Sequence, residues 1–239
     1  MKDRLSNIDI NEVAKFNAMA DLWWDSKGEF KALHEINPVR LAYVCRRAGL
    51  AGKVVLDVGC GGGLMAEGMA AEGARVTGID AAAAVLAVAR LHANQSGLAI
   101  EYRQGSTETW AASHREAYDI VTCMELVEHV PDPVSLVRAC AALVRPGGDL
   151  FLATVNRTWL AYLLVIVASE YVFKIVRRGT HQYDKFVRPQ ELAAFGRQAG
   201  LVLANLSGLR YVPWIGHVRL CKDTRMNYLM HFQKPGSRG

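Results

Sequence analysis

Three side chains that can act as catalytic or metal-binding groups stand close together near the middle of the chain. Glu125, Glu128 and His129 are spaced i, i+3 and i+4. If this segment is helical, the spacing places all three side chains on one face of the helix. Two carboxylates and an imidazole can hold Mg²⁺ or a similar ion, or can transfer protons. His181, in the tripeptide Gly-Thr-His, is a weaker candidate for a further ligand or base.

A glycine-rich segment offers a nucleotide-binding turn upstream of these groups. The sequence VVLDV at 54–58 favours a buried parallel strand, and the GCGGG that follows favours a tight turn into a helix. A second strand ends at Asp80, where a carboxylate can accept hydrogen bonds from ribose hydroxyls. A turn that only reversed the chain would not require this acidic residue at the end of the next strand.

The spacing of the glycines distinguishes two classes of cofactor. A dinucleotide fingerprint needs G-x-G-x-x-G, and Leu64 occupies the position of its third glycine. The pattern is instead D-x-G-x-G-x-G, with Asp57 two residues before Gly59 and Gly61 two residues after it. A carboxylate at the end of this strand would repel a pyrophosphate but suits a cationic amino-acid group. The sequence therefore predicts S-adenosylmethionine rather than NAD, bound by Asp57, Gly59, Gly61 and Asp80.

Alternating strands and helices are predicted to position these groups. Strands are expected near 53–58, 74–79, 99–103, 118–122, 149–155, 201–207 and 227–233, and helices near 64–72, 83–96 and 133–144. Repeated β-α units indicate an α/β, Rossmann-like fold with a mostly parallel, doubly wound sheet of seven strands. Such sheets bind ligands at the carboxyl ends of their strands, which is where the candidate residues fall.

Residues 1–50 precede the alternating pattern and are predicted to form an N-terminal helical lid. One helix is expected over 9–25, with Asp9 or Asn11 as its cap. A second is expected to start with Asn37 at the capping position and Pro38 in its first turn. Two adjacent tryptophans in the first helix suit a lid over the cofactor cleft. They suit equally well an anchor in the hydrophobic core.

The cofactor-binding domain is predicted over 51–239 and carries an apolar insertion at 157–187. The apolar run that starts at Trp159 breaks at Ser169, so it is shorter than the roughly 20 residues that a transmembrane helix needs. Aromatic and basic side chains flank the run, as at a lipid interface. We expect a peripheral membrane-docking helix that also lines the substrate entry, with a buried core helix as the alternative.

The composition limits the classes of protein that are possible. The chain has 239 residues, of which 51% are hydrophobic, enough for one large α/β domain with additions. Five cysteines without paired metal spacing indicate a reduced, cytoplasmic setting, and no secretory signal is expected. The net charge of +5 is mildly basic. Without a strong basic stripe or an appended module, no nucleic-acid partner is expected.

Several segments together resemble the ubiquinone-biosynthesis O-methyltransferase family. They are WWD at 23–25, GEFK at 28–31, INP at 36–38, LDVGCGGG at 56–63, CME at 123–125, EHVPDP at 128–133, GTH at 179–181 and NY at 227–228. The resemblance implies S-adenosylmethionine-dependent methylation of phenolic hydroxyls in polyprenylated catechol and demethylubiquinol intermediates. It also implies cofactor contacts at Arg40, Gly59, Asp80 and Met124. The four alanines that follow Asp80 depart from the family pattern.

A phenol is largely protonated at neutral pH, so its methylation calls for a general base or a metal ion. The resemblance supports a metal at Glu125, Glu128 and His129. A Glu-His pair at this place also occurs in methyltransferases that need no metal, and there it caps a helix or lines the pocket. Both interpretations stay open at this point.

The expected partners are a polyprenylated phenol, a lipid surface and other enzymes of ubiquinone biosynthesis. The expected location is the cytoplasm, with peripheral attachment to the inner membrane. Three other functions are compatible with parts of the sequence: a metal-dependent RNA 2′-O-methyltransferase, a quinone-ring C-methyltransferase, and a non-catalytic, membrane-associated cofactor-binding scaffold.

Overall fold

The structure is a computed structural model that describes residues 7–162 and 183–236. Within these residues, one sheet of eight strands forms the centre of the molecule. The strands are β1 (Val54–Val58), β2 (Arg75–Asp80), β3 (Glu101–Gln104), β4 (Tyr118–Met124), β5 (Val144–Val155), β6 (Val202–Val212), β7 (His217–Cys221) and β8 (Asn227–Gln233). Their order across the sheet is β3-β2-β1-β4-β5-β8-β6-β7.

The first five strands pair in parallel, and the last three join through antiparallel pairs. The mostly parallel α/β fold is therefore confirmed, but the sheet has eight strands among the described residues rather than the predicted seven. The additional strand is β7, which pairs with the end of β6 as a hairpin. It was missed because it has only five residues, and Arg219 interrupts its apolar side chains.

The helices cover both faces of the sheet. They are α1 (Ile10–Asn17), α2 (Lys31–Ala48), α3 (Leu64–Ala71), α4 (Ala83–Gln95), α5 (Thr107–Ser113), α6 (Pro133–Leu143), α7 (Trp159–Ala161) and α8 (Pro189–Gln198). Helices α2, α3 and α4 pack on one face, and α5, α6 and α8 pack on the other. Val55 and Leu56 are neighbours in β1 but belong to opposite core layers, because successive side chains of a strand point to opposite faces.

The first helix is shorter than predicted. Asp9 caps it as expected, since its carboxylate accepts hydrogen bonds from the backbone N–H groups of Asn11 and Glu12. The helix then ends at Asn17, and a separate 3₁₀ turn at Ala20–Leu22 carries the chain toward the two tryptophans.

The second helix starts earlier than predicted. It begins at Lys31, so that Pro38 lies inside it rather than in its first turn. A proline inside a helix costs about 3 kcal/mol, because it removes one backbone hydrogen bond and crowds the preceding turn. Burial of Ile36 and Tyr43 against the sheet offsets this cost.

Two further features differ from the sequence prediction. Helix α5 was not predicted, although Ser106 caps it by accepting a hydrogen bond from the Thr109 backbone N–H. The fifth strand was expected near 149–155. It starts earlier, at Val144, and its pairing with β4 is shifted by an irregularity.

No helix within the described residues is long and apolar enough to cross a membrane. The predicted docking helix and His181 lie largely in 163–182, outside the described residues. The described start of the insertion is α7, whose first turn is capped by the Thr158 side chain. The division of the chain at residue 50 stays a prediction.

Candidate functional site

A cavity of about 960 Å³ lies at the carboxyl ends of the central strands. This volume is near the upper end of the range for ligand-binding pockets. One part of its wall, which we name the glycine end, contains Gly59, Gly61 and Asp80. The other part, which we name the histidine end, contains charged and ring-bearing side chains from both the sheet and the N-terminal helices: Glu12, Phe16, Arg40, Glu125 and His129.

The glycine end is a turn that only glycine can form. Gly59 and Gly61 both have positive φ angles, of 67° and 53°. A Cβ atom on Gly61 would also lie 2.1 Å from the ring of Trp23. Trp24 fixes the same turn from outside, because its indole N–H donates to the Gly62 carbonyl over 3.0 Å. The adjacent tryptophans therefore pack on the turn, and Trp23 also lines the cavity.

Asp80 holds the turn and faces the cavity. Its carboxylate accepts hydrogen bonds from the Gly61 N–H at 3.0 Å and the Ala82 N–H at 2.8 Å. Burial raises the pKa of Asp80, and the backbone hydrogen bonds oppose this shift. A carboxylate has about four lone-pair sites, so two backbone bonds leave it able to accept hydroxyl groups of a ligand.

Asp57 lies beneath the turn rather than in the cavity wall. Its side chain is buried in the sheet and accepts a hydrogen bond of 2.7 Å from the Thr122 hydroxyl. Burial raises the pKa of Asp57 to about 7. Because Asp57 is absent from the cavity lining, the structure does not place it where the sequence predicted contact with an amino-acid group.

Arg40 and Glu125 form an ion pair at the histidine end. Arg40 comes from α2, and Glu125 follows Met124 at the end of β4, with a left-handed φ of 56°. The Arg40 side chain is almost completely buried, and its Nε has no hydrogen-bond partner within the described residues. A buried guanidinium N–H left unsatisfied is costly, which indicates that a ligand completes its hydrogen bonding.

His129 and Glu12 form the second polar pair of the histidine end. The His129 Nδ1 lies 2.8 Å from the Glu12 carboxylate, and Phe16 packs edge-on against the imidazole. Burial acts to raise the pKa of Glu12, but hydrogen bonds from His129 and Lys15 outweigh it and lower the value to about 2. Glu12 is therefore ionised at neutral pH and fixes the orientation of the imidazole.

Glu128 points away from the cavity. It is buried, and the Thr154 hydroxyl donates to its carboxyl group over 2.8 Å. Burial, followed by the proximity of Glu125, raises the pKa of Glu128 well above its usual range. Glu128 is also absent from the cavity lining.

Comparison with known proteins identifies the family. A family model for a methyltransferase domain matches residues 10–206. The ubiquinone biosynthesis O-methyltransferase of Pseudomonas paraeruginosa is 51% identical over 96% of this chain and 99% of its own length. The protein of that name from Aromatoleum aromaticum is 55% identical over 94% and 96%. The chain belongs to the ubiquinone-biosynthesis O-methyltransferase family.

The fold agrees with this family. A magnesium protoporphyrin IX methyltransferase from Synechocystis, solved with bound SAH, matches with a TM-score of 0.65 over 94% of each chain. Its sequence identity is 14%, so the similarity supports the methyltransferase fold and nothing finer.

The predicted three-ligand metal site is not present in this arrangement. The predicted helical face does not form, because Glu125 has a left-handed backbone and Val127–His129 is a 3₁₀ turn. Glu125 pairs with Arg40, Glu128 is turned away from the cavity, and His129 is bonded to Glu12. Within the described residues no group of three or more His, Cys, Asp or Glu side chains is placed to hold a metal ion.

Of the six residues predicted for cofactor binding, five line one cavity: Arg40, Gly59, Gly61, Asp80 and Met124. Sequence reasoning missed Glu12, although a signal was available. Glu12 lies four residues before Phe16 and so shares its face of α1. A carboxylate on the apolar side of a helix requires a partner in the interior.

Proposed function

We propose that this chain methylates phenolic hydroxyls of polyprenylated catechol and demethylubiquinol intermediates, with S-adenosylmethionine as the methyl donor. The observation that carries the proposal is one cavity that joins a nucleotide-binding glycine turn to a histidine–carboxylate pair. The first feature suits a nucleoside with an amino-acid tail. The second suits removal of a proton from a hydroxyl group.

S-adenosylmethionine fits the residues of the glycine end. The carboxylate of Asp80 faces the cavity as an acceptor for ribose hydroxyls, and Gly59 and Gly61 line the cavity beside it. The unsatisfied Nε of Arg40 is suited to the carboxylate of the methionine part. When bound, S-adenosylmethionine supplies an activated sulfonium methyl group for in-line transfer.

The chain's own residues remove the phenol proton and align the oxygen. We assign the proton on His129 to Nδ1, because Nδ1 lies against the ionised Glu12 carboxylate. The Nε2 atom is then unprotonated and can accept the phenol proton, and Glu12 stabilises the imidazolium that results. Phe16 fixes the plane of the ring. Aligning the phenol oxygen with the methyl group supplies a further part of the rate enhancement.

The test is methyl transfer from labelled S-adenosylmethionine to a catechol with a short prenyl chain. We expect labelled O-methyl product and no labelled RNA. Labelling of a ring carbon would favour the C-methyltransferase alternative. Cofactor binding without methylation of the catechol would favour the scaffold alternative and contradict the proposal.

We also propose that the protein works in the cytoplasm, attached peripherally to the inner membrane through the insertion at 157–187. The support from the described part is that Trp159 is 71% exposed at the start of the insertion. Changing Leu163, Ile166 and Phe173, which lie outside the described residues, to polar residues should reduce sedimentation with anionic vesicles. Unfolding of that variant would indicate a core helix instead and contradict this part of the proposal.

A further inference from the structure

The hairpin formed by β6 and β7 ends in an exposed apolar tip. Trp214 and Ile215 lie in the connection between the two strands and are 65% and 75% exposed. The strands below them are firmly held, because Leu209 is buried and the Tyr211 hydroxyl donates to Glu35 of α2 over 2.6 Å. The tip is therefore a supported projection that presents two large apolar side chains to the surroundings.

Two arginines face each other just below this tip. Arg210 of β6 and Arg219 of β7 are direct cross-strand partners, and both are exposed. Like charges placed directly opposite each other destabilise an antiparallel pair. Neither arginine forms an ion pair with another described residue, although Arg210 lies near Asp223, whose main partner is Arg225. This arrangement presents positive charge that the described part of the protein does not neutralise.

The hairpin and the start of the insertion border the same cavity. Arg210, Arg219 and Trp214 line it on one side, and Leu160 of α7 lines it on another. The two sides are linked, because the Thr158 hydroxyl donates to the Arg225 carbonyl over 2.6 Å. Exposed apolar side chains therefore stand on both sides of the cavity, since Trp159 and Tyr162 are exposed beside Leu160. We name this set the cavity rim: Trp159, Tyr162, Trp214, Ile215, Arg210 and Arg219.

We propose that the β6–β7 hairpin is a second membrane contact, with Trp214 and Ile215 entering the interfacial region of an anionic phospholipid bilayer. Arg210 and Arg219 then lie at the level of the lipid phosphates. This inference rests on the proposed function, because it is the membrane-borne prenyl substrate that gives the contact its use. With the hairpin and the insertion as two docking elements, the cavity opens onto the bilayer between them. The substrate then enters without crossing water.

The chemistry of the rim favours a bilayer over a protein partner. Tryptophan beside aliphatic side chains, with arginines just behind them, is the combination expected at a lipid headgroup boundary. The chain from 209 to 226 contains four Lys or Arg residues and one Asp, which complements an anionic surface. Lipid phosphates would also relieve the repulsion between Arg210 and Arg219.

Sedimentation of the full chain with vesicles tests this contact. The vesicles contain phosphatidylcholine alone, or equal parts of phosphatidylcholine and phosphatidylglycerol. We expect Trp214→Ser with Ile215→Ser to lower partitioning into the anionic vesicles roughly tenfold. Arg210→Gln with Arg219→Gln should cause a loss of similar size that is confined to the anionic vesicles.

The matched control is Val202→Ser with Leu206→Ser. These exposed residues belong to the same strand, and Val202 lies roughly 30 Å from the tip at about 3.3 Å per residue. We expect this variant to bind vesicles as the unmodified chain does. A loss equal to that of the tip variant would overturn the proposal, because it would show a general effect of reduced apolar surface.

A second measurement reports directly on the position of Trp214. Brominated lipids should quench part of the tryptophan fluorescence of the unmodified chain. Trp214→Phe should lower that quenching and leave the share that comes from Trp159, while binding persists. This readout still decides the question if the serine variant fails to fold. Equal quenching of both proteins, or hairpin variants that bind vesicles normally, would overturn the proposal.

The proposed function is measured separately, by methylation of a water-soluble catechol without a prenyl chain. If the tip variants methylate this catechol and bind vesicles as well as the unmodified chain does, the hairpin contact is contradicted and the proposed function is supported. Vesicle binding that depends on the hairpin, without any methylation, would support the hairpin contact and contradict the proposed function. Tip variants that instead change self-association, with vesicle binding unaffected, would assign the surface to a protein contact and overturn the lipid assignment.

Discussion

The glycine end and the histidine end of the cavity are built in different ways. At the glycine end, Gly59, Gly61 and Asp80 lie within 22 residues of each other and follow two adjacent parallel strands. At the histidine end, the contacting residues are distant in sequence, since Glu12 and His129 are 117 residues apart and Arg40 and Glu125 are 85 apart. The residues of the first end come from the sheet and the turn that follows it, although Trp23 and Trp24 pack on that turn. The second end exists only when the N-terminal helices are docked.

This difference predicts that the two ends can be damaged independently. Changes at the glycine end should weaken S-adenosylmethionine binding and leave the chemistry of the bound complex intact. Changes to Glu12 or His129 at the histidine end should slow methyl transfer and leave cofactor affinity intact. A variant that lowered cofactor affinity and the rate of methyl transfer equally would show that the two ends do not act separately.

The largest effect is expected for His129→Asn. Loss of the general base should lower kcat by roughly 10²- to 10⁴-fold, because general-base catalysis contributes about that much. The dissociation constant for S-adenosylmethionine, measured by calorimetry, should stay unchanged. The matched control is Glu128→Gln, which keeps the shape of a neighbouring side chain that does not line the cavity.

The same two variants distinguish general-base catalysis by His129 from catalysis by a bound metal ion. If Glu128 is a metal ligand, Glu128→Gln should be as damaging as His129→Asn, and chelation followed by added Mg²⁺ should abolish and restore activity. That result would contradict the proposed role of His129 and would show that the turn at 125–129 rearranges around the ion. We expect nearly normal turnover of Glu128→Gln instead.

A smaller effect is expected for Asp80→Ala at the glycine end. Losing a hydrogen bond to a charged acceptor should weaken S-adenosylmethionine binding by about 1–3 kcal/mol. Turnover at saturating cofactor should change much less. Asp80→Asn keeps one side-chain oxygen that can accept a hydrogen bond from the backbone of the turn. It therefore distinguishes collapse of the turn from loss of the contact with the ribose. Unchanged affinity in Asp80→Ala would contradict the assigned pocket.

A third variant, Glu12→Gln, should affect the histidine end mildly. An amide still accepts a hydrogen bond from Nδ1 but no longer stabilises the imidazolium by its charge. We expect kcat to fall roughly tenfold and the acidic limb of the pH–rate profile to move to lower pH. A purely structural role for Glu12 would lower activity without moving the profile. Lys15→Met removes the other partner of Glu12 and serves as the control.

The contrast between the two ends also explains what could be predicted from the sequence. Local glycine spacing and the acidic end of the second strand located the glycine end, because both signals depend on residues near each other in the chain. The pair Glu12–His129 depends on the docking of α1, which no local pattern encodes. The metal prediction for Glu125, Glu128 and His129 assumed a helical turn, but pairing with Arg40 and the left-handed backbone at Glu125 produced another geometry.

Most strands were predicted close to their observed positions along the chain, and the exceptions are local. The central strand β1 is mostly apolar, and β8 was predicted with its observed bounds. Strand β7 was missed because it has only five residues, and two of them, His217 and Arg219, are basic or polar. Such a short, interrupted pattern is also compatible with a loop. Pro38 was placed at a helix start because proline favours that position, whereas burial of its neighbours keeps it within α2.

The smallest expected effect concerns the acid stability of the docked N-terminal helices. The pKa of Glu12 falls from its ordinary value near 4.5 to about 2 in the folded protein, so its contribution to stability is present above pH 4.5. That contribution should be lost as the pH falls through this range, because the carboxylate is then protonated in the folded state as well. Thermal unfolding of the unmodified chain and of Glu12→Gln should therefore differ most near neutral pH and converge toward pH 2. A constant difference between the two curves across the whole range would contradict the charged contact between α1 and His129, and with it the view that the histidine end depends on docking of the N-terminal helices.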